Sequence, residues 1–368
     1  MSENLLANHT TARVGGPAST WITVSTEDQL TAAIAEADAA GTPLLVLAGG
    51  SNMLVSDAGF PGTVVHLATE GIDVIESTDE YVYVRSAAGH EWDAVGAWSV
   101  VEGLTGIEAL SGIPGSTGAT PVQNVGAYGA DISKTLVSIR AWDREANRIV
   151  TLTGPDLEFG YRDSVIKRTI ASSTTNFHQA SPRWIVLSVD LQLVKTGKSA
   201  PIRYTQLARA LNLELEQSAP LERIRQTVLD LRGTKGMVLE AQDHDTWSTG
   251  SFFTNPIVPI EVAETLPDDA PRFPHHEAGE TTDTVKLSAA WLIEHAGYNK
   301  GFGLNGEPKT VNGRASLSTK HTLALTNRGT ASTQDLLQIA TVVRDGVAEK
   351  WGIHLVPEPV LVGVQLGA

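Results

Sequence analysis

Cysteine is absent from the 368 residues, which excludes disulfides, thiolate zinc sites, iron–sulfur clusters and cysteine nucleophiles. Any redox chemistry therefore needs a bound cofactor. Long apolar runs are also missing: none approaches the roughly 18 residues of a membrane span. The opening Met1-Ser2-Glu3-Asn4 has no basic stretch followed by an apolar one, so no signal peptide is expected and the cytoplasm is the expected compartment. Positive charge is scarce. Lys and Arg number 27 against 42 Asp and Glu, a formal net charge of −15. That balance disfavours nonspecific contact with nucleic acid or anionic lipid, and no membrane or nucleic-acid partner is expected. The eight tryptophans are scattered and form no stacking stripe for single strands. An anionic ligand would have to rely on local basic groups and backbone N–H donors.

What is present is a globular composition, 42% apolar and 19% charged, on a chain too long for one ordinary core. Residues 25–41 read as a helix with Thr26 and Gln29 as a capping box and Gly41 as its stop. Leu44 to Leu47 is a short apolar strand. Alternation in Tyr81-Val82-Tyr83-Val84-Arg85 marks another. Residues 92–102 and 221–231 read as helices, the second preceded by Gln217-Ser218-Ala219-Pro220 as cap and early proline. Strands are expected at 136–142, 147–152 and 184–193. Residues 266–283, rich in Pro, Asp, Glu and Thr, read as a surface loop, and 284–296 as a helix. Residues 332–351, capped by Ser332 and stopped by Gly352, form the clearest helix, followed by a final strand over 353–364. Strands and helices mix without a regular βαβ period, so the fold class is α+β.

Chemistry concentrates in a few segments. Leu47-Ala48-Gly49-Gly50-Ser51-Asn52-Met53 runs from a strand into two glycines and two polar residues, a backbone able to aim several N–H groups at one anion. A tight turn is the plain alternative. The second loop, Gly112-Ile113-Pro114-Gly115-Ser116-Thr117-Gly118-Ala119, does not fit the G-x-G-x-x-G spacing, which rejects a standard Rossmann site. Gln123-Asn124-Val125-Gly126-Ala127-Tyr128-Gly129 offers amides and small residues to a planar ring. Three further segments supply a guanidinium, a hydroxyl and a carboxylate: Gly160-Tyr161-Arg162-Asp163-Ser164, Gly250-Ser251-Phe252-Phe253-Thr254-Asn255-Pro256 and Pro357-Glu358-Pro359. Together they can hold developing negative charge and deliver a proton.

In order and spacing these segments resemble the UDP-N-acetylenolpyruvoylglucosamine reductase (MurB) family, from Asn8-His9-Thr10-Thr11 to Val360-Leu361-Val362-Gly363. The Tyr-Arg-Asp-Ser form with Tyr204 downstream looks like the family's first type, which has an extra substrate-covering loop. The resemblance implies a two-subdomain FAD-binding fold of the MurB and vanillyl-alcohol-oxidase kind plus a C-terminal α+β substrate domain. Expected bounds are 1–75, 76–236 and 237–352, with the chain from about 353 to 368 returning near the site. It implies noncovalent FAD, NADPH as hydride donor, UDP-N-acetylglucosamine enolpyruvate as substrate, and a monomer. By the match, Arg162, Ser251 and Glu358 are catalytic, with Ser251 as proton donor. Glu358 either donates a hydrogen bond when protonated or orients Arg162 or a water; the sequence leaves both open. Cofactor contacts fall on Gly49, Gly50, Ser51, Asn52, Met53, Gly112, Pro114, Gly115, Ser116, Gly118, Ala119, Gln123, Asn124, Gly126, Ala127, Tyr128, Gly129 and Val186. Substrate contacts fall on Tyr161, Tyr204, Arg232, Lys235, Asn255 and His321.

Taken singly, these residues have ordinary readings: Arg162 in a surface ion pair, Ser251 in a turn, Glu358 and Lys235 solvated, Tyr161 and Tyr204 packed. His275-His276-Glu277, and His244 between two aspartates, lack a third ligand at suitable spacing, so no metal is expected. Two rival functions stand beside the reductase. A flavin oxidase of the wider superfamily leaves the Ser251 segment unexplained. A noncatalytic flavin or sugar-nucleotide sensor has no use for a proton donor.

Overall fold

The computed structural model describes residues 3–170, 177–275 and 283–367. They fall into two compact units. The first comprises residues up to 5, 17–50 and 59–239; the second comprises 6–16, 51–58 and 240 onward.

In the first unit, strands Ala18–Val24, Phe60–Leu67 and Leu44–Leu47 form a parallel sheet with Phe60–Leu67 central. Helix α1 (Glu27–Ala39) makes the crossover. Thr26 Oγ1 accepts from Gln29 N at 3.2 Å, as the sequence predicts, but Gln29 Oε1 reaches one residue further back, to Ser25 N. An antiparallel sheet follows, ordered Arg148–Thr153, Leu136–Asp143, Trp184–Lys195, Tyr81–Ala87, Ile72–Ser77. Trp184–Lys195 is buried on both faces through most of its length, whereas Tyr81–Ala87 alternates buried and half-buried. The first pattern marks a central strand and the second a strand with one covered face. Helices α2 (Trp92–Val101), α3 (Val165–Arg168), α4 (Thr205–Leu211) and α5 (Leu221–Thr234) complete the unit. Leu30, Ile34, Val65, Trp92, Ile139 and Val189 share one core. The expected cap of α5 is corrected. Pro220 occupies the cap position without a side-chain bond, and Gln217 instead accepts from Glu214 N through Oε1 and from Ile202 N through its carbonyl.

In the second unit, strands Met53–Val55 and Val360–Val362 pair in parallel. Helices α6 (Ile260–Glu264), α7 (Ala289–His295) and α8 (Thr333–Trp351) accompany a three-stranded antiparallel sheet and the hairpin Ala315–Leu317/Leu325–Asn327. Helix α8 carries the full reciprocal box between Ser332 and Asp335 and ends on Gly352 at φ +67°, where glycine carries no Cβ penalty. Three expectations are corrected. Residues 266–283 are not all loop, because Arg272–His275 pairs with Thr284–Leu287; residues 276–282, including His276 and Glu277, lie outside the described residues. Residues 284–296 are not one helix: Thr284–Leu287 is a strand, and α7 starts only after Ser288, whose hydroxyl accepts from Trp291 N. The final strand shrinks to Val360–Val362, since Pro357 and Pro359 have no N–H for a ladder.

Asp143 closes the turn between Leu136–Asp143 and Arg148–Thr153. It pairs with Arg183 at 2.9 and 2.7 Å and accepts from Glu145 N and Ala146 N. The Arg183 hydrogen bonds hold its carboxyl down at about 2, from an ordinary 3.8. The native state therefore binds this proton more weakly than the unfolded chain. The resulting stability is fully present above pH 3.8 and is lost as pH falls towards about 2. Asp143→Asn should cost about 1.5–3 kcal/mol at neutral pH and flatten the stability–pH curve in that window. Urea unfolding across the window checks this; an unchanged slope contradicts it.

Candidate active site

In the first unit, Gly160 and Asp163 exchange backbone hydrogen bonds at 3.1 and 3.4 Å, leaving Tyr161 and Arg162 at the tip of a tight turn. Arg162 has φ +54° there, a region that side chains with a Cβ avoid. The rest of the motif holds the turn. Ser164 caps α3 by accepting from Lys167 N, and Lys167 Nζ donates to Arg162 O at 3.0 Å. Asp163 and Glu158 both pair with Arg168. The Arg162 guanidinium donates to Gly126 O at 2.7 Å and Asn124 O at 3.4 Å. Asn124 Nδ2 donates in turn to Gly160 O at 3.1 Å. Asn124 and Tyr128 also sit at positive φ, +47° and +51°. Backbone strain of this kind costs roughly 1–3 kcal/mol per residue and concentrates at functional sites.

Tyr128 carries the cluster onward. Its ring meets Tyr204 edge-on at 5.6 Å, and Lys235 Nζ lies 5.7 Å from its centroid. Gln206, which the sequence reading missed, accepts from Lys235 Nζ at 2.8 Å. It stands on α4, two residues after Tyr204, and no local motif flags it. Arg232, near the end of α5, donates to Met237 O at 2.7 Å, while its buried Nε has no hydrogen-bond partner. Burial lowers its pKa to about 10, with Arg162's charge acting in the same direction and Tyr128 and Asp93 opposing. It still remains charged at neutral pH. Thus Tyr161, Arg162, Tyr204, Arg232 and Lys235 belong to one region of the first unit, a cationic, aromatic-lined patch on an acidic chain.

The glycine loops of this unit also meet. Gly49 and Gly50 follow Leu44–Leu47, and a Cβ on Gly49 would fall 2.8 Å from Gly115 Cα. A Cβ on Gly118 would fall 2.6 Å from that of Ala88. Gly112, Pro114, Gly115, Ser116, Gly118 and Ala119 form the loop around the short turn Thr117–Ala119. Gln123, Gly126, Ala127 and Gly129 border the Asn124–Tyr128 segment, and a Cβ on Gly129 would sit 3.5 Å from Tyr204 Cβ. Val186 is buried in the core strand opposite Ala141. Bare backbone of this kind is what a dinucleotide's phosphates approach, so the residues fit FAD.

The second unit holds the remaining residues. Phe252 and Phe253 are each 1% exposed and their rings meet edge-on at 5.0 Å; the segment therefore runs through the core. Ser251 bridges Ala324, and Phe252 N donates to Leu323 O at 2.7 Å. On the other side Glu358 N donates to Phe252 O at 2.8 Å, and Phe253 bridges Pro357. Val360 then pairs with Met53, and its N–H donates to Asn52 O at 3.0 Å. Ser51, Asn52 and Met53 thus lie in this unit, beside the Glu358 segment. His321 stands in the hairpin turn that leads to Ala324, its N–H donating to Ser318 Oγ. Asn255 Oδ1 accepts from Ala289 N at 2.9 Å, which ties it to the first turn of α7.

Comparison with known proteins bears on the whole chain. The model of the UDP-N-acetylenolpyruvoylglucosamine reductase C-terminal domain matches residues 242–362, and an FAD binding domain model matches residues 18–153. A UDP-N-acetylenolpyruvoylglucosamine reductase of Nocardia farcinica is 49% identical across 98% of this chain and 89% of its own length. The chain belongs to the UDP-N-acetylenolpyruvoylglucosamine reductase family. Another reductase of this family, from Saccharopolyspora erythraea, is 48% identical over 98% of this chain and 95% of its own. The fold matches the crystal structure of the Thermus caldophilus reductase with a TM-score of 0.61 at 23% identity, covering 97% of each chain. The α+β class is therefore shown, and the reductase is an FAD-dependent oxidoreductase of peptidoglycan-precursor synthesis.

The Gly49–Gly115 approach gives a direct test. Gly49 has no positive φ, so Gly49→Ala acts through volume alone, and backbone on the facing side cannot rotate away. Overpacking of this kind costs roughly 1–3 kcal/mol. Flavin affinity should fall about tenfold or more, read from fluorescence titration of the apoprotein; undiminished affinity would remove this contact from the cofactor site.

Proposed function

We propose that this reductase converts UDP-N-acetylglucosamine enolpyruvate to UDP-N-acetylmuramate with NADPH as reductant, acting as a monomer in the cytoplasm. Bound FAD, once reduced, supplies a hydride to the terminal carbon of the enolpyruvyl group. The chain's own residues do the rest. As electron density moves into the substrate's carboxylate, an enolate forms, and Arg162 holds it through charge-assisted hydrogen bonds. Ser251 gives its hydroxyl proton to the adjacent carbon. A serine hydroxyl is a poor acid at neutral pH, so this step depends on a strongly basic enolate and a fixed geometry. Glu358 supports the same charge. Lys235, Arg232, Tyr204, Asn255 and His321 receive the sugar nucleotide, with the cations taking the diphosphate.

The observation that carries this reading lies in the second unit. The hydroxyl of the Ser251 segment and the acid of the Glu358 segment are borne on neighbouring chain segments, joined by the Glu358 N to Phe252 O bond of 2.8 Å. That pairing supports a reading in which the acid and the hydroxyl act on one substrate. A noncatalytic sensor has no need of it, and neither has an oxidase that only removes a hydride.

The test separates the half-reactions by stopped-flow absorbance. NADPH should bleach the flavin, and the enolpyruvyl substrate should restore its colour. In Ser251→Ala, bleaching should proceed nearly as before while recolouring slows about 10²-fold or more, as for loss of a key transition-state group. Equal slowing of both phases would refute the proton-donor role. Tyr204→Ala should raise the substrate's Kd and leave bleaching intact; unchanged affinity would remove Tyr204 from the site.

A further inference from the structure

One acid outside the glycine loops and the Arg162, Ser251 and Glu358 motifs joins two elements of the first unit. Asp93 lies in the first turn of α2, and its carboxylate takes three short hydrogen bonds. Gly112 N donates to Oδ1 at 2.6 Å. Arg225 donates bidentately, Nη1 to Oδ1 and Nη2 to Oδ2, both at 2.7 Å. The pair is mostly covered, its side chains 28% and 17% exposed. Gly112 opens the second glycine loop, at φ +72°. Arg225 stands on α5, the helix that carries Arg232 near its end and leads into Lys235. The far side of Gly112 abuts that same helix end: a Cβ there would meet Leu229 Cδ2 at 2.7 Å and Arg232 Nε at 3.5 Å. Asp93 therefore ties the opening of the glycine loop to the helix bearing the cations.

The charge matters as well as the reach. Burial pushes the Asp93 carboxyl up, but the Arg225 pair and the Gly112 amide outweigh it and hold it below its ordinary value. Asp93 is also a favourable charge for Arg232, whose Nη2 donates to the Met237 carbonyl and which has no acid among its hydrogen-bond partners within the described residues. A carboxylate that only stabilised α2 would need neither contact, since its place in the first turn already suits the helix dipole.

We propose that Asp93 is a positioning residue that sets the spacing between the flavin's glycine loop and the α5 cations that receive the substrate's diphosphate. The inference rests on the assignment of those two groups under the proposed function. It requires that cofactor binding and sugar-nucleotide binding weaken together when this one carboxylate is altered.

Asp93→Asn, Arg225→Gln and the double variant are compared with Asp38→Asn. The last breaks an ion pair of similar geometry in the same unit, between Arg144 and Asp38 at 2.6 Å, and serves as the control for lost stability alone. Flavin Kd is read by fluorescence titration of the apoprotein. Affinity for UDP-N-acetylglucosamine, used as the probe, is read from its perturbation of the oxidised flavin spectrum, and Tm is recorded for all. Loss of a charge-assisted contact of this type predicts about a tenfold rise in both dissociation constants for Asp93→Asn. The double variant should be no worse than the worse single one, and Asp38→Asn should lower Tm without moving either constant. Unchanged constants in Asp93→Asn, or equal changes in the Asp38→Asn control, overturn the proposal. A wild-type protein that takes up no flavin at all would instead overturn the functional reading beneath it.

Discussion

Arg162 donates to the carbonyl oxygens of Gly126 and Asn124 from a backbone angle that few side chains adopt, and the first unit's site is organised by that arrangement. Three residues there, Asn124, Tyr128 and Arg162, hold positive φ. At roughly 1–3 kcal/mol apiece, their strain approaches the whole stability of a marginal domain. It persists because the surroundings over-determine each one. Asn124 spends its side chain on Gly160 O and Ser133 N, Lys167 fixes the Arg162 carbonyl, and Tyr128 is wedged between Tyr204 and Lys235. The neighbouring acids, Asp163 and Glu158, are drawn to Arg168. The guanidinium's bonds to the Gly126 and Asn124 carbonyls fix its orientation from the side of the turn.

A chain of net charge −15 still gathers cations locally around Arg162, Arg232 and Lys235. Bulk charge repels anions; a local cluster of cations reverses the sign of the field nearby. Arg232 illustrates the tension. Burial and the nearby Arg162 reduce its pKa to about 10, so protonation there is weaker than in water yet complete at neutral pH. A bound anion would counter the repulsion from Arg162 and raise that pKa. Electrostatic attraction is strongest where water is thin, so a few enclosed cations offset an acidic surface.

Much of this was legible in the sequence because the signals are local. Glycine-rich stretches and the Ser332 cap each carry their geometry within a few residues. The errors fall where structure is decided at a distance. Residues 284–287 become strand because Arg272–His275 is there to pair with them, and no periodicity within 284–296 reveals that partner. Pro220 caps α5 without a side chain, because the Gln217 segment is engaged with Ile202 and Glu214. Asp93 and Gln206 escaped notice for the same reason: their partners, Arg225 and Lys235, lie far along the chain, and neither acid nor amide stands in a motif. Mixed elements without a βαβ period point correctly to α+β, since the parallel sheet here is only three strands beside a larger antiparallel one.

The two prolines around Glu358 show how a short segment is made rigid without a long sheet. Neither proline can donate, so within Pro357-Glu358-Pro359 the Glu358 N–H is the single backbone donor, and it is committed to Phe252 O. Proline also fixes φ near −65° on both sides and restricts the residue before it, so Glu358 has little backbone freedom left. On the facing segment, Phe252 and Phe253 are both buried and meet edge-on at 5.0 Å, which denies Ser251 the play that a surface turn would allow. A hydroxyl of ordinary acidity transfers a proton usefully only when it waits in the right place. The residues that confer that placement are apolar or imino and have no chemistry of their own. Under the proposed function, substitutions at Phe252, Phe253, Pro357 and Pro359 therefore act on the reaction through the backbone that carries Ser251 and Glu358.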